Sequence, residues 1–418
     1  MKTLISNASQ ILTINTNGKH VKRGKNLSET APLLNHSILV EDDLIKDFIP
    51  NSKIAETFAD NKIDASNCII LPGLVECHTH AAYAGSRANE FLMRLKGASY
   101  EEIAQAGGGI TSTMKAVRNS SFEELVKLLT PRIDHFISQG VTTLEIKSGY
   151  GLSFYDEIKL LQVINHFKVH SAIEIVPTFL GAHTYPPEYK NDHKQYLKMI
   201  IEELLPYIIK NKLAEHIDAF CEKTAFSAED VDLLFTKAKK LGYKLRLHTD
   251  QFNVVGGLDI ALKHKVLSVD HLEVINDEDI PKLAKSGTAA ILLPGVSFFL
   301  GCPYTPARKL IDHNAIVALA TDYNPGSSHI TNLQLIMQLA ALNYKMSVEE
   351  IISAVTINSS YAMGLSERIG SLEIGKQADF AIFEACEPSE IIYNIGINLN
   401  KYTIKKGKIV YSRTPEFS

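Results

Sequence analysis

The stretch Cys68-Ile69-Ile70-Leu71-Pro72-Gly73-Leu74-Val75-Glu76-Cys77-His78-Thr79-His80 decides how the rest of this chain is read. Its apolar part, Ile69–Glu76, has the composition of a strand buried on both faces of a parallel sheet. It runs out into His78 and His80. Side chains two apart on a strand share a face, so both imidazoles can point at one spot. That spot lies at the C-terminal end of the strand, where barrel enzymes keep their chemistry. Two neutral imidazoles converging on a point suit Zn²⁺ or Fe. Alone, the pair is equally compatible with one solvated and one core histidine.

Downstream, short apolar runs alternate with helical patterns as far as residue 365. The strand candidates are Thr142–Ile146, Ile173–Phe179, Ile217–Phe220, Lys244–Leu247, Leu267–Asp270, Ala289–Leu293 and Val317–Ala320. Between 228 and 241, Val231, Leu234, Phe235, Ala238 and Leu241 fall on one helix face. Ser227 with Asp230 and Ser347 with Glu350 read as capping boxes, and Gly140 and Gly242 sit where helix C-termini belong. Eight strands alternating with helices predict an α/β fold, a (β/α)₈ TIM-type barrel, over residues 67–366. The ends differ. Thr3–Ile5, Ile11–Ile14, Ile38–Val40 and Leu44–Phe48 surround a polar insert at 17–29, and Ala378–Phe383 and Tyr402–Tyr411 return to the same style. Strands without crossover helices do not join a parallel barrel, so residues 1–66 and 367–418 are expected to pair as a small composite β-sandwich.

Composition narrows the class. Hydrophobic residues at 45% and charged residues at 22% describe a soluble globular protein, and 418 residues suffice for a large core. A net charge of −4 without a basic block argues against a nucleic-acid or anionic-membrane partner. Cys68, Cys77, Cys221, Cys302 and Cys386 are scattered with no CxxC, as in a reducing compartment. The N-terminus lacks a signal-peptide core, and the most apolar stretch, 289–302, is interrupted by Pro294 and Gly295, so a cytoplasmic location is expected. No feature fixes the oligomeric state; a homodimer is compatible with the sequence.

Metal-competent residues recur at the strand ends. Leu245-Arg246-Leu247 runs into His248, Val269-Asp270 into His271, Leu319-Ala320-Thr321 into Asp322, and Phe179-Leu180-Gly181-Ala182 into His183. A polar residue past one strand is ordinary loop chemistry, but four such positions together with HxH on the first strand are not. His78, His80, His248 and Asp322 supply three imidazoles and a carboxylate, a ligand set that leaves room for water as catalytic sites do.

With these residues in place, the pattern of HxH on strand one, His on strands five and six and Asp on strand eight resembles the amidohydrolase superfamily. So does Gly370-Ser371-Leu372-Glu373-Ile374-Gly375-Lys376-Gln377-Ala378-Asp379, as the return into the sandwich. Strand four, Ile217-Asp218-Ala219-Phe220-Cys221-Glu222, lacks the lysine that bridges two metals in binuclear members, which implies one Zn²⁺ or Fe ion per chain. Finer motifs are similar to the imidazolonepropionase family: His78-Thr79-His80-Ala81-Ala82-Tyr83-Ala84-Gly85-Ser86-Arg87, Ala106-Gly107-Gly108-Gly109-Ile110, Glu145-Ile146-Lys147-Ser148-Gly149-Tyr150-Gly151-Leu152, Phe179-Leu180-Gly181-Ala182-His183 and Thr321-Asp322-Tyr323-Asn324-Pro325-Gly326-Ser327. The triple glycine fits no phosphate-binding pattern and reads as a tight loop.

The resemblance implies hydrolysis of the cyclic amide of 4-imidazolone-5-propanoate to N-formimidoyl-L-glutamate by a metal-activated water, in histidine degradation. It implies that Arg87 meets the carboxylate with its planar fork. Tyr150 would contact the substrate, His183 would hydrogen-bond the ring or its oxygen, and Asn324, Gly326 and Ser327 would line the other side. Gln251 would bind the ring as an amide, and because Gln takes no proton, Asp322 and His271 share the proton traffic. His271 is expected beside the metal as a proton carrier, with direct ligation as the alternative. Cys77 and Cys221 have no activating partner and read as inert thiols. The rivals are an aminoheterocycle deaminase, which should lack the Arg87 and Tyr150 grip, a phosphorylated-sugar deacetylase, which should carry more basic residues, and a non-catalytic scaffold, which should have lost ligands.

Overall fold

The computed structural model describes residues 1–98, 102 and 108–413. The N-terminal segment forms β1 (Lys2–Ser6), β2 (Gln10–Leu12), β3 (Pro32–Leu33), β4 (His36–Glu41), β5 (Leu44–Pro50), β6 (Asn61–Asp64) and β7 (Ile69–Pro72). The barrel follows as β8 (Leu74–Glu76), β9 (Val141–Lys147), β10 (Glu174–Ala182), β11 (His216–Cys221), β12 (Lys244–Thr249), β13 (Ser268–His271), β14 (Ala289–Leu292) and β15 (Ile316–Leu319). These eight strands pair in sequence order, all parallel. The ring closes where β8 and β15 run out: Thr79 bridges Tyr323, the Asp322 amide donates to His78 O (3.1 Å) and the His80 amide to Tyr323 O (2.9 Å). The capping boxes at Ser227 and Ser347 are present, and Gly140 and Gly242 follow their helices with φ of 94° and 90°.

The C-terminal segment adds β16 (Phe380–Phe383), β17 (Asn400–Lys405) and β18 (Lys408–Ser412). They join the N-terminal strands in a six-stranded sheet, β18-β17-β16-β7-β2-β3, which faces a four-stranded sheet, β5-β4-β1-β6. Ile5, Ile38, Val40 and Ile45 meet Ile11, Ile70, Phe380, Ile382 and Ile404 in a core between the two sheets. The apolar run 69–76, expected as one barrel strand, serves both units. Ile69–Pro72 pairs with β16 and β2, whereas β8 pairs with β9. The break is at Gly73, whose N–H goes to Asp379 O (2.9 Å) and where a Cβ would lie 2.2 Å from Thr142 Oγ1. A second difference follows: β8 ends at Glu76, so His78 and His80 stand beyond the strand and not on it. The Glu76 carboxylate takes the amides of His78 and Thr321 and carries the pairing past the strand end.

Alternation along the strands sorts the barrel's two faces. Leu144, Ile146, Ile217, Leu245, Leu247, Val269 and Val317 join the core against the helices. Glu145, Lys147, Asp218, Arg246, His248 and Asp270 take the opposite parity and are fully buried or nearly so. The polar insert at 17–29 carries a 3₁₀ turn, Gly24–Ser28. It is fastened by Arg23 to the carbonyls of Ala284 and Ser286, ahead of β14 and away from the strand ends that hold the histidines.

Candidate active site

His78, His80 and Asp322 place ligand atoms within 4.8 Å of one another, and so do His78, His248 and His271. Asp322 Oδ1 lies 3.2 Å from His78 Nε2 and 3.3 Å from His80 Nε2, while the Nε2 atoms of His80 and His248 are 3.3 Å apart. His78 Nε2 and Asp322 Oδ1 are buried without a hydrogen-bond partner. Unpaired buried polar atoms are costly, and lone pairs facing one another at this range fit a cation between them. The other ring nitrogens are engaged: His78 Nδ1 with Asp270 Oδ2 (2.6 Å), His248 Nδ1 with Asp218 Oδ1 (3.1 Å) and His271 Nδ1 with Glu273 Oε1 (3.3 Å). Carboxylates in that position fix the tautomer and turn Nε2 toward a metal. Burial holds His80 below the usual imidazole range and pushes His248 down to about 3, so both rings are neutral, as ligation requires. Asn324 Nδ2 donates to Asp322 Oδ2 (3.1 Å), which leaves Oδ1 to face the histidines. The residues present therefore fit a metal ion.

Beneath them lies a network that sequence reasoning missed. Lys147 Nζ is 2.7 Å from Glu145, 2.9 Å from Asp218 and 3.9 Å from Asp270; Arg246 binds Asp270 (3.0 Å) and Glu145 (3.1 Å). All five side chains are fully buried. Strand four, β11, carries no lysine, yet Lys147 reaches its Asp218 from the second barrel strand. Burial and the nearby Arg246 both push the Lys147 ammonium down, and the three carboxylates outweigh them and keep it charged. The signal was Glu145-Ile146-Lys147, a charged pair at strand spacing inside an apolar run, where a charge survives only if paired. Left-handed φ at Asp250 (54°), His271 (88°), Leu272 (68°) and Asp322 (49°) marks the same strand ends, as strained positions at ligand sites do.

Above the histidines a cavity of about 520 Å³ is lined by His80, Arg87, Tyr150, His183, Gln251, His271, Asp322, Asn324, Gly326 and Ser327, among others. It brings together every substrate-side residue named from the sequence. His183 Nδ1 donates to Gly149 O (3.0 Å), and burial, with His80 and His248 adding to it, holds this ring well below the usual imidazole range. Tyr150 is held by a buried carboxylate that the sequence did not flag: Glu157 accepts the amides of Gly149, Gly151 and Leu152. Gly149 has φ of 105°, and a Cβ there would come within 2.8 Å of Leu180 O. Asn324 spends its amide inside its own loop, accepting from Gly326 and Ser327 and donating to Asp322 O and Ser327 Oγ. Arg87 donates to Glu90 Oε2 from Nε (2.8 Å), and its Nη2 pairs with the same oxygen at 2.7 Å. Cys77 and Cys221 are buried, and burial raises both thiols. Of the Ala106–Ile110 motif, Ala106 and Gly107 lie outside the described residues.

A family model described as "Amidohydrolase family" matches residues 103–411. An imidazolonepropionase of Christiangramia forsetii is 42% identical over 98% of this chain and 100% of its own length. One of Caldanaerobacter subterraneus subsp. tengcongensis is 42% identical over 96% of each. The chain belongs to the imidazolonepropionase family of amidohydrolases. Solved structures share the fold at lower identity. A triazine hydrolase variant has a TM-score of 0.76 at 16% identity (98% of this chain, 95% of the other), and a zinc-bound adenosine deaminase of Xanthomonas campestris has 0.73 at 17% (97% and 92%). Imidazolonepropionase membership covers barrel and sandwich alike, since the matches run nearly end to end.

Proposed function

We propose that this chain hydrolyses the cyclic amide of 4-imidazolone-5-propanoate to N-formimidoyl-L-glutamate, with one Zn²⁺ or Fe ion held by His78, His80, His248 and Asp322. The carrying observation is one cavity lined both by Asp322, whose buried Oδ1 has no hydrogen-bond partner, and by Arg87. A bound ion would supply a water acidified toward pKa ~7 and an electrophile for the ring carbonyl. A single ion is favoured because Lys147 and Arg246 already neutralise Asp218, Asp270 and Glu145, so that this carboxylate cluster needs no second cation.

The chain's own groups then take these parts. Asp322 and His271 receive and return the proton, His271 steered by Glu273. His183 gives its only N–H to Gly149 O, so its Nε2 accepts, which suits a ring N–H of the substrate more than an oxyanion. Tyr150 and Gln251 flank the ring, Gly326 and Ser327 line the other side, and Asn324 shapes that loop. Arg87 takes the propanoate. We further propose a sandwich unit of 1–66 with 367–418 beside the 67–366 barrel, the strand 69–72 being shared with the sandwich, and a cytoplasmic location. No helix among the described residues is long and apolar enough to cross a membrane.

The test is an assay following loss of imidazolone absorbance, with metal analysis of the same sample. Arg87→Ala should raise KM at a cost of about 1.5–3 kcal/mol, the scale of a charge-assisted pair, and matter far less for an imidazolone without the carboxylate. Equal losses on both compounds would assign Arg87 to the fold. Turnover of an aminoheterocycle in place of the imidazolone would overturn the substrate.

A further inference from the structure

Arg87 does not meet a substrate carboxylate as a free cation. Its Nε donates to Glu90 Oε2, its Nη2 lies 2.7 Å from the same oxygen, and Glu90 Oε1 accepts the Gly109 amide (2.9 Å), so the guanidinium is fixed by its side edge and its charge is already balanced. Its guanidinium packs against Gly326, where a Cβ would be 2.1 Å from Arg87 Nη1. On the same helix, Ala88–Leu95, one turn after Glu90, stands Arg94. It lines the same cavity, donates from Nη2 to Gly326 O (3.1 Å) and holds its guanidinium carbon 5.1 Å from the Phe299 ring centre. Among the described residues no carboxylate lies within ion-pair distance of Arg94. One of its five N–H groups is given to Gly326 O. Among the described residues this part of the cavity thus carries two cations, Arg87 and Arg94, and one anion, Glu90, a surplus of one positive charge.

We propose that Arg94 is a second carboxylate-reading residue: it supplies the uncompensated charge that selects a substrate with a single anionic tail, while Arg87, held by Glu90, supplies the geometry. This rests on the substrate reading given above. Charge matching explains an arginine half-buried between Phe299, Phe91 and a backbone carbonyl, where burial and the neighbouring Arg87 outweigh the support of Glu90, itself already paired with Arg87. It also ties tail recognition to chemistry, because Gly326, which touches Arg87 and accepts from Arg94, is in the loop that begins at Asp322.

The probes are 3-(imidazol-4-yl)propanoate and 4-ethylimidazole, which share the ring and differ in the carboxylate, titrated by calorimetry into the metal-loaded full chain. Arg94→Met keeps the stem and removes the charge. It should weaken the propanoate by about tenfold or more, the worth of one charge-assisted contact, and change the ethyl compound by less than about twofold. Arg94→Lys should recover most of the loss. Unchanged propanoate binding in Arg94→Met, or equal weakening of both probes, overturns the proposal. If the unaltered chain itself fails to prefer the propanoate, the substrate reading is what has failed, and the role of Arg94 falls with it.

Discussion

His271 has the surroundings of a proton carrier and the position of a ligand. Its ring lies 5.3 Å from that of His248 and 5.9 Å from that of His78, and Glu273 holds one nitrogen. If four ligands suffice, His271→Asn should retain the metal and lower kcat by on the order of 10²-fold, the scale for losing an acid–base group. His78→Ala is the control: it should come out metal-poor and inactive with unchanged far-ultraviolet dichroism. Metal analysis of the two purified variants decides, for a metal-free His271→Asn would move this histidine into the ligand set. The same scale shows why identity matters more than charge at Asp322. One oxygen is bound by Asn324 and the other is free, an arrangement that a longer carboxylate would not reproduce.

At the scale of elements, the site depends on loops fastened by buried carboxylates from neighbouring segments. Glu157, on the helix Phe154–His170, holds the turn that presents Tyr150, and Glu222 at the end of β11 accepts the amides of Phe252 and Asn253 beside Gln251. Glu157→Gln keeps one acceptor oxygen and loses the charge. It should cost about 1–3 kcal/mol in urea unfolding, the range for damaged buried hydrogen bonds to a charged group. Hydrogen exchange should rise at Gly149, Gly151 and Leu152, and KM should rise more than kcat falls. Unaltered exchange at those amides would show that the turn is held by its glycines alone.

Across the whole molecule, barrel and sandwich are joined by charge as well as by the shared strand. Glu174, at the start of β10, accepts two hydrogen bonds from Arg368 (2.9 and 2.6 Å) and lies 3.4 Å from Lys405 on β17. Burial pushes the Glu174 carboxyl up, but Arg368 and Lys405 outweigh it and leave it below its ordinary value. A carboxyl lowered on folding stabilises the fold above its unfolded pKa, and the contribution is lost as pH falls through the folded value. Glu174→Gln should therefore lower unfolding stability by about 1–2 kcal/mol between pH ~6 and ~8, with the gap closing below pH ~4. A gap independent of pH would assign the effect to packing.

Much of this was legible in the chain. Strand and helix periods, two capping boxes and the polar residues at strand ends are local patterns, and local sterics and hydrogen bonding act over a few residues, so they specify the barrel and place His78, His80, His183, His248, His271 and Asp322 at one end of it. What only the tertiary structure decided is which of these meet, and what holds them. Gly73 divides one apolar run between two sheets because Asp379 and Thr142 approach it from distant parts of the chain. Asp270 orients His78 from 192 positions away, and the charges of Lys147 and Arg246 are held in the interior by Asp218 and Asp270 from other strands together with Glu145. Such pairings carry no sequence period. Their free energy comes from desolvated charges brought together by closure of the barrel, a condition that exists only once the chain has folded.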